Sequence, residues 1–294
     1  MIQDIGPKRL DNTYYPEKTA KGDSIIIYFK NRQILLASDG ESFRLPKFRD
    51  VFEESEISAL RYLFAIDDEE YYLTDEVPAG VISTGNTGLI MAGVREMRRM
   101  KGATNEVALA VFTAIQLANW YKDNHYCGTC GSETVHSDKE RALCCPECGR
   151  HIYPRILPAV IVGVLHDGKM VLTKYAGNDF PFYALIAGFT EIGETLEQTV
   201  AREVMEEVGL KVKNITYYKS QPWGIVDDLL VGFFCDLDGE DPTITLDTSE
   251  LGVGEWLTPD EVVLQPDTLS LTNEMMTMFK TGKVKSARDA WRLL

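Results

Sequence analysis

The sequence lacks any apolar run long enough to cross a membrane. Its longest such run, LPAVIVGVL at 157–165, is far shorter than the roughly 20 residues that a membrane helix needs. The N-terminal stretch MIQDIGPKRLDNTYYPEK contains no apolar segment of the kind that a secretory signal requires. We therefore expect a cytoplasmic protein with no membrane partner.

Basic residues are also fewer than acidic ones: the chain has 30 basic and 45 acidic residues, which gives a net charge of −15. An acidic surface repels the phosphate backbone of a nucleic acid, so extended nucleic-acid binding is disfavoured. A small anionic substrate is still compatible with this charge, since bound divalent cations can invert the local potential.

Cysteine is rare outside one short segment: five of the six cysteines lie within 127–148, and Cys235 stands alone. The segment contains two C-x2-C pairs, and two such pairs can present four thiolates tetrahedrally to Zn²⁺. The expected ligands of this structural zinc are Cys127, Cys130, Cys145 and Cys148. Cys144 is an alternative third ligand, although Cys145 keeps the C-x2-C spacing. A redox-active pair is the competing interpretation, which the glycines beside both pairs disfavour.

The chain is long enough for more than one domain. We predict an N-terminal α+β domain at 1–125, a four-cysteine zinc ribbon at 126–155 and a catalytic domain at 156–294. Strands with few helices predict an α/β sandwich for the last of these. Local patterns predict five elements in particular: a hairpin at 24–37, helices at 91–100 and 104–124, and closing helices at 258–262 and 271–282.

A helix at 195–208 is well marked at both ends. Thr195 and Gln198 form a capping box, and Gly209 ends the helix. We expect one apolar stripe on this helix, made of Leu196, Val200, Ala201, Val204 and Val208.

Three glutamates share a single sector of the same helix beside that stripe: Glu203, Glu206 and Glu207. Glu207 lies at the edge of the stripe, so we expect it to be partly shielded from water. Carboxylates at this spacing repel one another, and a hard divalent cation such as Mg²⁺ removes that penalty. Taken alone, such glutamates could also form an ordinary solvated helix face.

The surrounding residues favour the metal interpretation. From Gly188 to Leu210 the sequence reads G-x5-E-x7-R-E-U-x-E-E-x-G-U, where U is aliphatic, and this string resembles the Nudix box at every defined position. The resemblance implies that Glu203 and Glu207 bind Mg²⁺ or Mn²⁺, while Glu206 is a further ligand or positions the attacking water. It implies structural roles for Gly188, Glu194, Arg202 and Gly209, with Arg202 pairing with Glu194. The reaction would be the attack of water on a phosphorus of a nucleoside diphosphate derivative.

The order of motifs along the chain indicates a resemblance to one subfamily of Nudix enzymes. A β-rich N-terminal domain, a four-cysteine ribbon, Y-P-R-x-x-P-A at 153–159, the box, and SQPW at 220–223 resemble the NADH pyrophosphatase subfamily over about the last 170 residues. That subfamily hydrolyses NAD(H) to nicotinamide mononucleotide and AMP, and some members also remove NAD caps from RNA. Its members are typically homodimers, so the resemblance implies a homodimer here.

The resemblance also implies individual site residues. The divalent metal would be bound by the Ala187 carbonyl together with Glu203, Glu207 and Glu250. Substrate contacts would come from Glu140, Tyr153, Phe189 and Gln221.

One segment departs from the subfamily pattern. SQPW is typically followed by P-F-P-x-S, whereas here it is followed by Gly224-Ile225-Val226-Asp227-Asp228. Lost prolines predict a more mobile or differently shaped segment. The two added acids could accept bonds from ribose hydroxyls or help to hold a metal. This departure keeps two alternatives open: hydrolysis of another nucleoside diphosphate derivative such as ADP-ribose, and a non-catalytic nucleotide- or RNA-binding module.

Overall fold

The structure, a computed structural model, describes residues 1–53, 60–82, 88–177 and 181–293. These residues form two compact units. One comprises 3–155 and 224–226, and the other comprises 1–2, 156–223 and 227–294. The predicted division of the first 155 residues into a domain and a ribbon stays a prediction.

The unit formed by 3–155 and 224–226 contains a seven-stranded sheet. Its order is β1-β5-β6-β2-β3-β4, and β7 pairs with β3. The strands are β1 Leu10–Asp11, β2 Ile25–Lys30, β3 Gln33–Ser38, β4 Phe43–Arg44, β5 Arg61–Ile66, β6 Glu69–Thr74 and β7 Gly88–Gly93. The helices are α1 Phe48–Val51, α2 Val94–Met97 and α3 Asn105–Asp123.

Two of the local predictions in this unit are confirmed. β2 and β3 form the predicted hairpin, and its two turn residues Asn31 and Arg32 have φ values of 51° and 63°. Positive φ at both positions is typical of the tight turns whose twist matches that of the flanking strands. Helix α3 begins after Thr104, whose side chain accepts a hydrogen bond from the Val107 N–H at 3.2 Å.

The predicted helix at 91–100 is wrong. Residues 88–93 form strand β7, which pairs with β3 along its whole length, and only 94–97 form a helix. The backbone bonds offered by the neighbouring strand outweigh the helical spacing of the apolar residues here.

The segment that contains the clustered cysteines forms a three-stranded antiparallel sheet, in the order β10-β9-β8. Its strands are β8 Val135–His136, β9 Leu143–Cys144 and β10 His151–Ile152. Arg141 anchors this segment to the rest of its unit, because its guanidinium donates to the Leu63 carbonyl at 2.6 Å and to Asn12 at 3.3 Å.

The unit formed by 1–2, 156–223 and 227–294 is built on a six-stranded mixed sheet. Its order is β14-β15-β11-β12-β16, and β13 pairs with β11. The strands are β11 Leu157–His166, β12 Lys169–Tyr175, β13 Ile186–Phe189, β14 Val212–Trp223, β15 Asp228–Leu237 and β16 Leu251–Leu257. The helices are α4 Leu196–Val208, α5 Leu271–Lys280 and α6 Ala287–Ala290, followed by a 3-10 turn at Trp291–Leu293.

Side chains that alternate along β11 and β15 form separate cores on the two faces of this sheet. On one face Val160, Phe233 and Cys235 pack with the apolar side of α4. On the other face Ile161 and Phe234 pack with Met275, Met276 and Phe279 of α5. The predicted α-β-α sandwich is therefore confirmed for this unit.

The predicted helix at 258–262 is wrong, whereas α5 confirms the one beginning at 271. Residues 259–261 form a turn, in which the Glu261 carboxylate accepts from the backbone N–H and hydroxyl of Thr258 at 2.8 and 2.7 Å. Across the described parts of the chain, no helix combines the length and the apolar character that crossing a bilayer would require.

Candidate active site and zinc site

The local sequence of helix α4 sets its ends. Thr195 accepts from the Gln198 N–H at 3.2 Å, and the Gln198 side chain accepts from the Thr195 N–H at 2.8 Å. At the other end, Gly209 adopts a left-handed conformation with φ of 71°. Both halves of the predicted capping box and the glycine terminus are thus present.

The buried face of α4 differs from the prediction at one position. Val200, Val204 and Val208 are fully buried, but Ala201 is exposed and Thr199 is buried in its place. Thr199 satisfies its hydroxyl by donating to Glu194 at 3.0 Å and to the Thr195 carbonyl at 3.1 Å. The buried sector is therefore rotated relative to the predicted stripe.

Gly188 and Glu203 lie against each other. Gly188 belongs to β13, and a Cβ atom added to it would overlap the carboxyl group of Glu203. Only glycine leaves room for this carboxylate beside the strand, which explains why the box needs glycine at this position.

Arg202 donates hydrogen bonds to three glutamates and to one backbone carbonyl of the box. It donates to both carboxylate oxygens of Glu194 at 2.7 and 2.9 Å, which is the predicted ion pair. It also donates to Glu203 at 2.7 Å, to Glu206 at 2.9 Å and to the Phe189 carbonyl at 2.9 Å. Hydrogen bonding to Arg202 lowers the pKa of Glu194 to about 2. The contacts with Glu203 and Glu206 go beyond the prediction, although the i, i+4 spacing of Arg202 and Glu206 already permits one of them.

Glu207 is the most shielded acid of the helix, with only 4% of its surface exposed. Its carboxylate accepts a hydrogen bond from the Ala187 N–H at 3.4 Å. Burial raises the pKa of Glu207 to about 8, with further increases from the negative charges of Glu203, Glu250 and Asp247. The expected shielding of this carboxylate is confirmed.

The same electrostatic coupling extends to Glu203. Its pKa is also raised by burial and by Glu206 and Glu250, against the opposing effect of Arg202. The structure therefore brings Glu250, which is 47 residues away along the chain from Glu203, close to the box glutamates.

Asp247 and Tyr175 are two neighbours of this site that the sequence analysis missed. The Asp247 N–H donates to the Glu207 carbonyl at 3.0 Å. The pKa of Tyr175 is raised by burial and then by Glu207 and Glu250. Neither residue belongs to a box position, and no local spacing in the sequence links either one to the helix.

The chemistry of this acid cluster fits a divalent metal ion. Neighbouring carboxylates help to raise the pKa values of Glu203 and Glu207, and a hard cation would relieve that repulsion. Within the described ranges, only the four cysteines form a set of three or more ligand residues whose atoms all lie within 4.8 Å of one another. The glutamates do not form such a set, and Mg²⁺ does not require one, because it keeps several waters and takes one or two carboxylates together with substrate phosphates.

The four cysteines form a closed site instead. The sulfur atoms of Cys127, Cys130, Cys145 and Cys148 all lie within 4.8 Å of one another. The Cys127–Cys148 and Cys130–Cys145 sulfur distances are 3.6 and 3.4 Å, close to the edge of a tetrahedron with Zn–S bonds of about 2.3 Å. Backbone N–H groups of Thr129 and Cys130 lower the pKa of Cys127, which favours the thiolate that zinc requires.

The two remaining cysteines lie outside this group. Cys144 belongs to strand β9, while Cys235 is fully buried in the core beside α4. The geometry thus selects Cys145 over Cys144 as the third member of the set.

The predicted substrate residues are divided between the two units. In the cysteine-containing unit, the Tyr153 hydroxyl donates to Glu140 at 2.9 Å, so these two residues do lie together. In the other unit, Phe189 leaves 49% of its surface exposed at the end of β13. Gln221 is fully buried, accepts from the Leu271 N–H at 2.7 Å and donates to the Leu269 carbonyl at 2.8 Å. A substrate contact of the Gln221 side chain would require these bonds to break.

The segment after SQPW, whose sequence departs from the subfamily pattern, forms a turn between two strands. Strand β14 runs through Trp223, a 3-10 turn covers Gly224–Val226, and β15 begins at Asp228. Asp227, with φ of 63°, and Asp228 are both buried. A Cβ atom at Gly224 would overlap the Phe112 carbonyl of α3, so the proline of the subfamily pattern has no room here.

Two protein families match parts of this chain. The NUDIX domain family matches residues 155–277, and the NADH pyrophosphatase zinc ribbon domain matches residues 122–153. The chain is 42% identical over 152 residues to the NAD-capped RNA hydrolase NudC of Shigella dysenteriae serotype 1 (strain Sd197), a match that covers 52% of this chain and 58% of that protein. It is 41% identical over 152 residues to the protein of the same name from Escherichia coli (strain K12 / DH10B), with the same coverage of 52% and 58%.

The matched part thus spans little more than half the length of these curated relatives. A solved structure, a NUDIX hydrolase from Nitrosomonas europaea, is 22% identical with a TM-score of 0.45, and the match covers 55% of this chain and 94% of that one. The chain therefore contains a Nudix domain at residues 155–277, preceded by an NADH pyrophosphatase zinc ribbon domain at residues 122–153.

Proposed function

We propose that this protein is a metal-dependent pyrophosphohydrolase that cleaves the central diphosphate of NAD(H), releasing nicotinamide mononucleotide and AMP. The observation that carries this proposal is the cluster of Glu203, Glu207 and Glu250, in which the charge of Glu250 contributes to the raised pKa values of both Glu203 and Glu207. The 42% identity to an NAD-capped RNA hydrolase supports the choice of substrate.

Glu203, Glu207, Glu250 and the Ala187 carbonyl would hold Mg²⁺ or Mn²⁺. The bound ion would polarise the phosphoryl oxygens and lower the pKa of water. Arg202 fixes the directions of Glu203 and Glu206, so that their carboxylates are positioned before substrate arrives.

The reaction needs one group to take a proton. As the water oxygen forms its bond to phosphorus, the bridging phosphorus–oxygen bond breaks and a proton leaves the water. Glu206 is suited to accept this proton, because its side chain is 58% exposed and is still oriented by Arg202.

Phe189 would stack against a base of the dinucleotide, since its ring is half-exposed at the end of β13. Glu140 and Tyr153 would contact substrate as a hydrogen-bonded pair. A homodimer is proposed on the resemblance alone. For NAD-capped RNA, the net charge of −15 would confine recognition to the capped end.

The test is to incubate the protein with NADH and either Mg²⁺ or Mn²⁺ in ¹⁸O-labelled water, and to identify the products by mass spectrometry. We expect reduced nicotinamide mononucleotide and AMP, with one ¹⁸O on a single product, which identifies the phosphorus attacked. Glu207→Gln should abolish turnover. Unchanged turnover in this variant would contradict the proposed mechanism, and the complete absence of turnover in the wild type would favour a non-catalytic binding module.

Hydrolysis of ADP-ribose is the second candidate, favoured by the altered segment at 224–228. Two buried aspartates stand in this segment where the subfamily pattern has a serine and one variable residue. Initial rates on NADH, NAD⁺ and ADP-ribose decide between these substrates. A clear preference for ADP-ribose would contradict the NAD(H) assignment and leave the hydrolytic mechanism intact.

A further inference from the structure

The segment at 238–250, which connects β15 to β16, is bonded to the end of helix α4. The last four carbonyls of a helix have no partner inside the helix. Here the Glu207 carbonyl accepts a hydrogen bond from the Asp247 N–H at 3.0 Å. The Val208 carbonyl accepts one from the Thr245 N–H at 2.9 Å. The segment is therefore attached to the residue whose side chain is a proposed metal ligand.

Asp247 is also bonded to the backbone of Glu250. Its carbonyl accepts from the Glu250 N–H at 3.2 Å and from the Leu251 N–H at 2.9 Å. Glu250 is exposed and belongs to the turn at 248–250. Asp247 thus connects two proposed metal ligands, Glu207 and Glu250, through one backbone hydrogen bond to each.

The side chain of Asp247 stabilises the same turn. Its Oδ1 atom accepts from the Ser249 N–H at 2.8 Å and from the Ser249 hydroxyl at 2.6 Å. An aspartate that bonds the backbone two residues further on is a common means of fixing a turn. The conformation of the residues that lead to Glu250 therefore depends on this carboxylate.

The other end of the turn is held by the end of β12. The Glu250 carbonyl accepts from the Ala176 N–H at 2.8 Å, and Leu251 pairs with Tyr175. The backbone of Glu250 is thus fixed from both sides, by Asp247 and by Ala176. A loose turn would let the exposed carboxylate occupy many positions, and a metal ion would then have to order it at a cost in conformational entropy.

We propose that Asp247 is a positioning residue, whose carboxylate holds the turn at 248–250 so that Glu250 is already beside the box glutamates when a divalent cation binds. This role rests on the proposed function, in which Glu250 is a metal ligand. The acceptor oxygen of Asp247 is the property that matters, and its negative charge is not.

The variants separate these two properties. Asp247→Ala removes both, whereas Asp247→Asn removes the charge and keeps an oxygen that can accept from Ser249. The matched control is Asp241→Ala, because Asp241 lies in the same segment and accepts from the Thr243 N–H at 3.0 Å, again two residues further on. Glu250→Gln alters the proposed ligand itself.

The first measurement needs no substrate: Mn²⁺ is titrated into the zinc-loaded full chain, and the free ion is counted by electron paramagnetic resonance. The second is the Mn²⁺ concentration that gives half-maximal hydrolysis of NADH. We expect Asp247→Ala to weaken Mn²⁺ binding by about 10-fold, as for other groups that orient metal ligands, and to raise the half-maximal concentration by a similar factor. Asp247→Asn and Asp241→Ala should stay within about 2-fold of the wild type.

Three results would overturn the proposed role of Asp247. Wild-type binding of Mn²⁺ by Asp247→Ala would show that the carboxylate does not position Glu250. Equal losses in Asp247→Ala and Asp247→Asn would show that the charge acts and the turn does not. Equal losses in Asp247→Ala and Asp241→Ala would show that loosening the segment anywhere has the same effect.

Ser249→Ala decides the question if Asp247→Ala does not fold. This variant removes only the hydroxyl that donates to Asp247 at 2.6 Å, so it should weaken Mn²⁺ binding in the same direction but by less. Unchanged binding in Ser249→Ala would then contradict the proposed role of the turn.

Failure of the proposed function gives a different pattern. If the wild type releases no products from NADH while the Mn²⁺ affinities follow the expected order, the function is wrong and the role of Asp247 stands. If the wild type hydrolyses NADH but Glu250→Gln binds Mn²⁺ as tightly as the wild type, Glu250 is not a ligand. The role of Asp247 is then wrong, and the hydrolytic function stands.

Discussion

The carboxylate of Glu203 occupies the space that a side chain on Gly188 would need. This contact fixes where one of the proposed metal ligands stands relative to strand β13. Gly188→Ala should therefore push Glu203 away and lower kcat/KM by roughly 100-fold, since small displacements of catalytic groups have effects of this size. The measurement is steady-state hydrolysis of NADH.

The matched control is Gly252→Ala, which adds the same methyl group to strand β16. There the nearest atom would be 3.6 Å from the new Cβ, an ordinary contact. We expect this variant to keep nearly full activity. Equal losses in the two variants would show that any added methyl group on this sheet is damaging, and that the contact between Gly188 and Glu203 has no special role.

Removing the charge of Glu207 should stabilise the protein when no divalent cation has been added. The pKa of Glu207 is raised to about 8 in the fold, from an ordinary value of 4.5. The folded state thus holds the proton more tightly than the unfolded chain, so stability falls as pH rises between these two values. Above pH 8 the loss of folding free energy reaches about 5 kcal/mol, since each pKa unit corresponds to about 1.4 kcal/mol.

Thermal unfolding of Glu207→Gln and the wild type measures this effect. The variant should melt at a higher temperature at pH 8.5, and the difference should shrink toward pH 4.5. Glu240→Gln, which changes an exposed glutamate of the same unit, should show no such trend. A variant that is less stable than the wild type at pH 8.5 would show that burial does not penalise this charge.

Arg202 should be irreplaceable by lysine. Its guanidinium binds three carboxylates and the Phe189 carbonyl at once, and the single ammonium of lysine cannot reproduce that fork. Arg202→Lys should raise the Mn²⁺ concentration needed for half-maximal activity by about 10- to 100-fold, the usual effect of losing groups that orient metal ligands.

The control for Arg202→Lys is Arg292→Lys, at a 78% exposed side chain near the C-terminal end of the chain. Its metal dependence should equal that of the wild type. If Arg202→Lys also shows the wild-type metal dependence, then the orientation of Glu203 and Glu206 does not depend on the guanidinium.

The zinc content of cysteine variants should follow the sulfur geometry. Cys130→Ser should lose the metal, because a closed tetrahedral site needs all four thiolates. Cys144→Ser and Cys235→Ser should retain one zinc ion per chain, as measured by atomic emission on the purified protein. Loss of zinc in Cys144→Ser with full retention in Cys145→Ser would reverse the assignment of the third ligand.

The features that could be predicted from the sequence are those fixed by nearby residues. The capping box and Gly209 mark the ends of α4, and the spacing of the cysteines brings their sulfurs together. The burial of Glu207 follows from its place on the helical wheel. In each case the interacting groups are a few residues apart or belong to a short motif, so their geometry depends little on the rest of the chain.

The features that could not be predicted depend on partners distant in sequence. Residues 88–93 form a strand because β3 lies beside them, and Gln221 is buried because the backbone at 269–271 takes both of its polar atoms. Asp247 is near Glu207 only because the chain returns to the end of α4. No local pattern in the sequence indicates any of these three contacts.

Gly224–Val226 belong to the same unit as α3, so the unit that contains the box is not one continuous stretch of chain. A Nudix unit excised as one continuous piece from residue 156 onward would keep this turn but lose Phe112, against which Gly224 packs. It would also lose Met1 and Ile2, and Ile2 donates to the Leu269 carbonyl at 3.1 Å. A transplant of this unit into another protein would therefore have to bring helix α3 and the first residues of the chain with it.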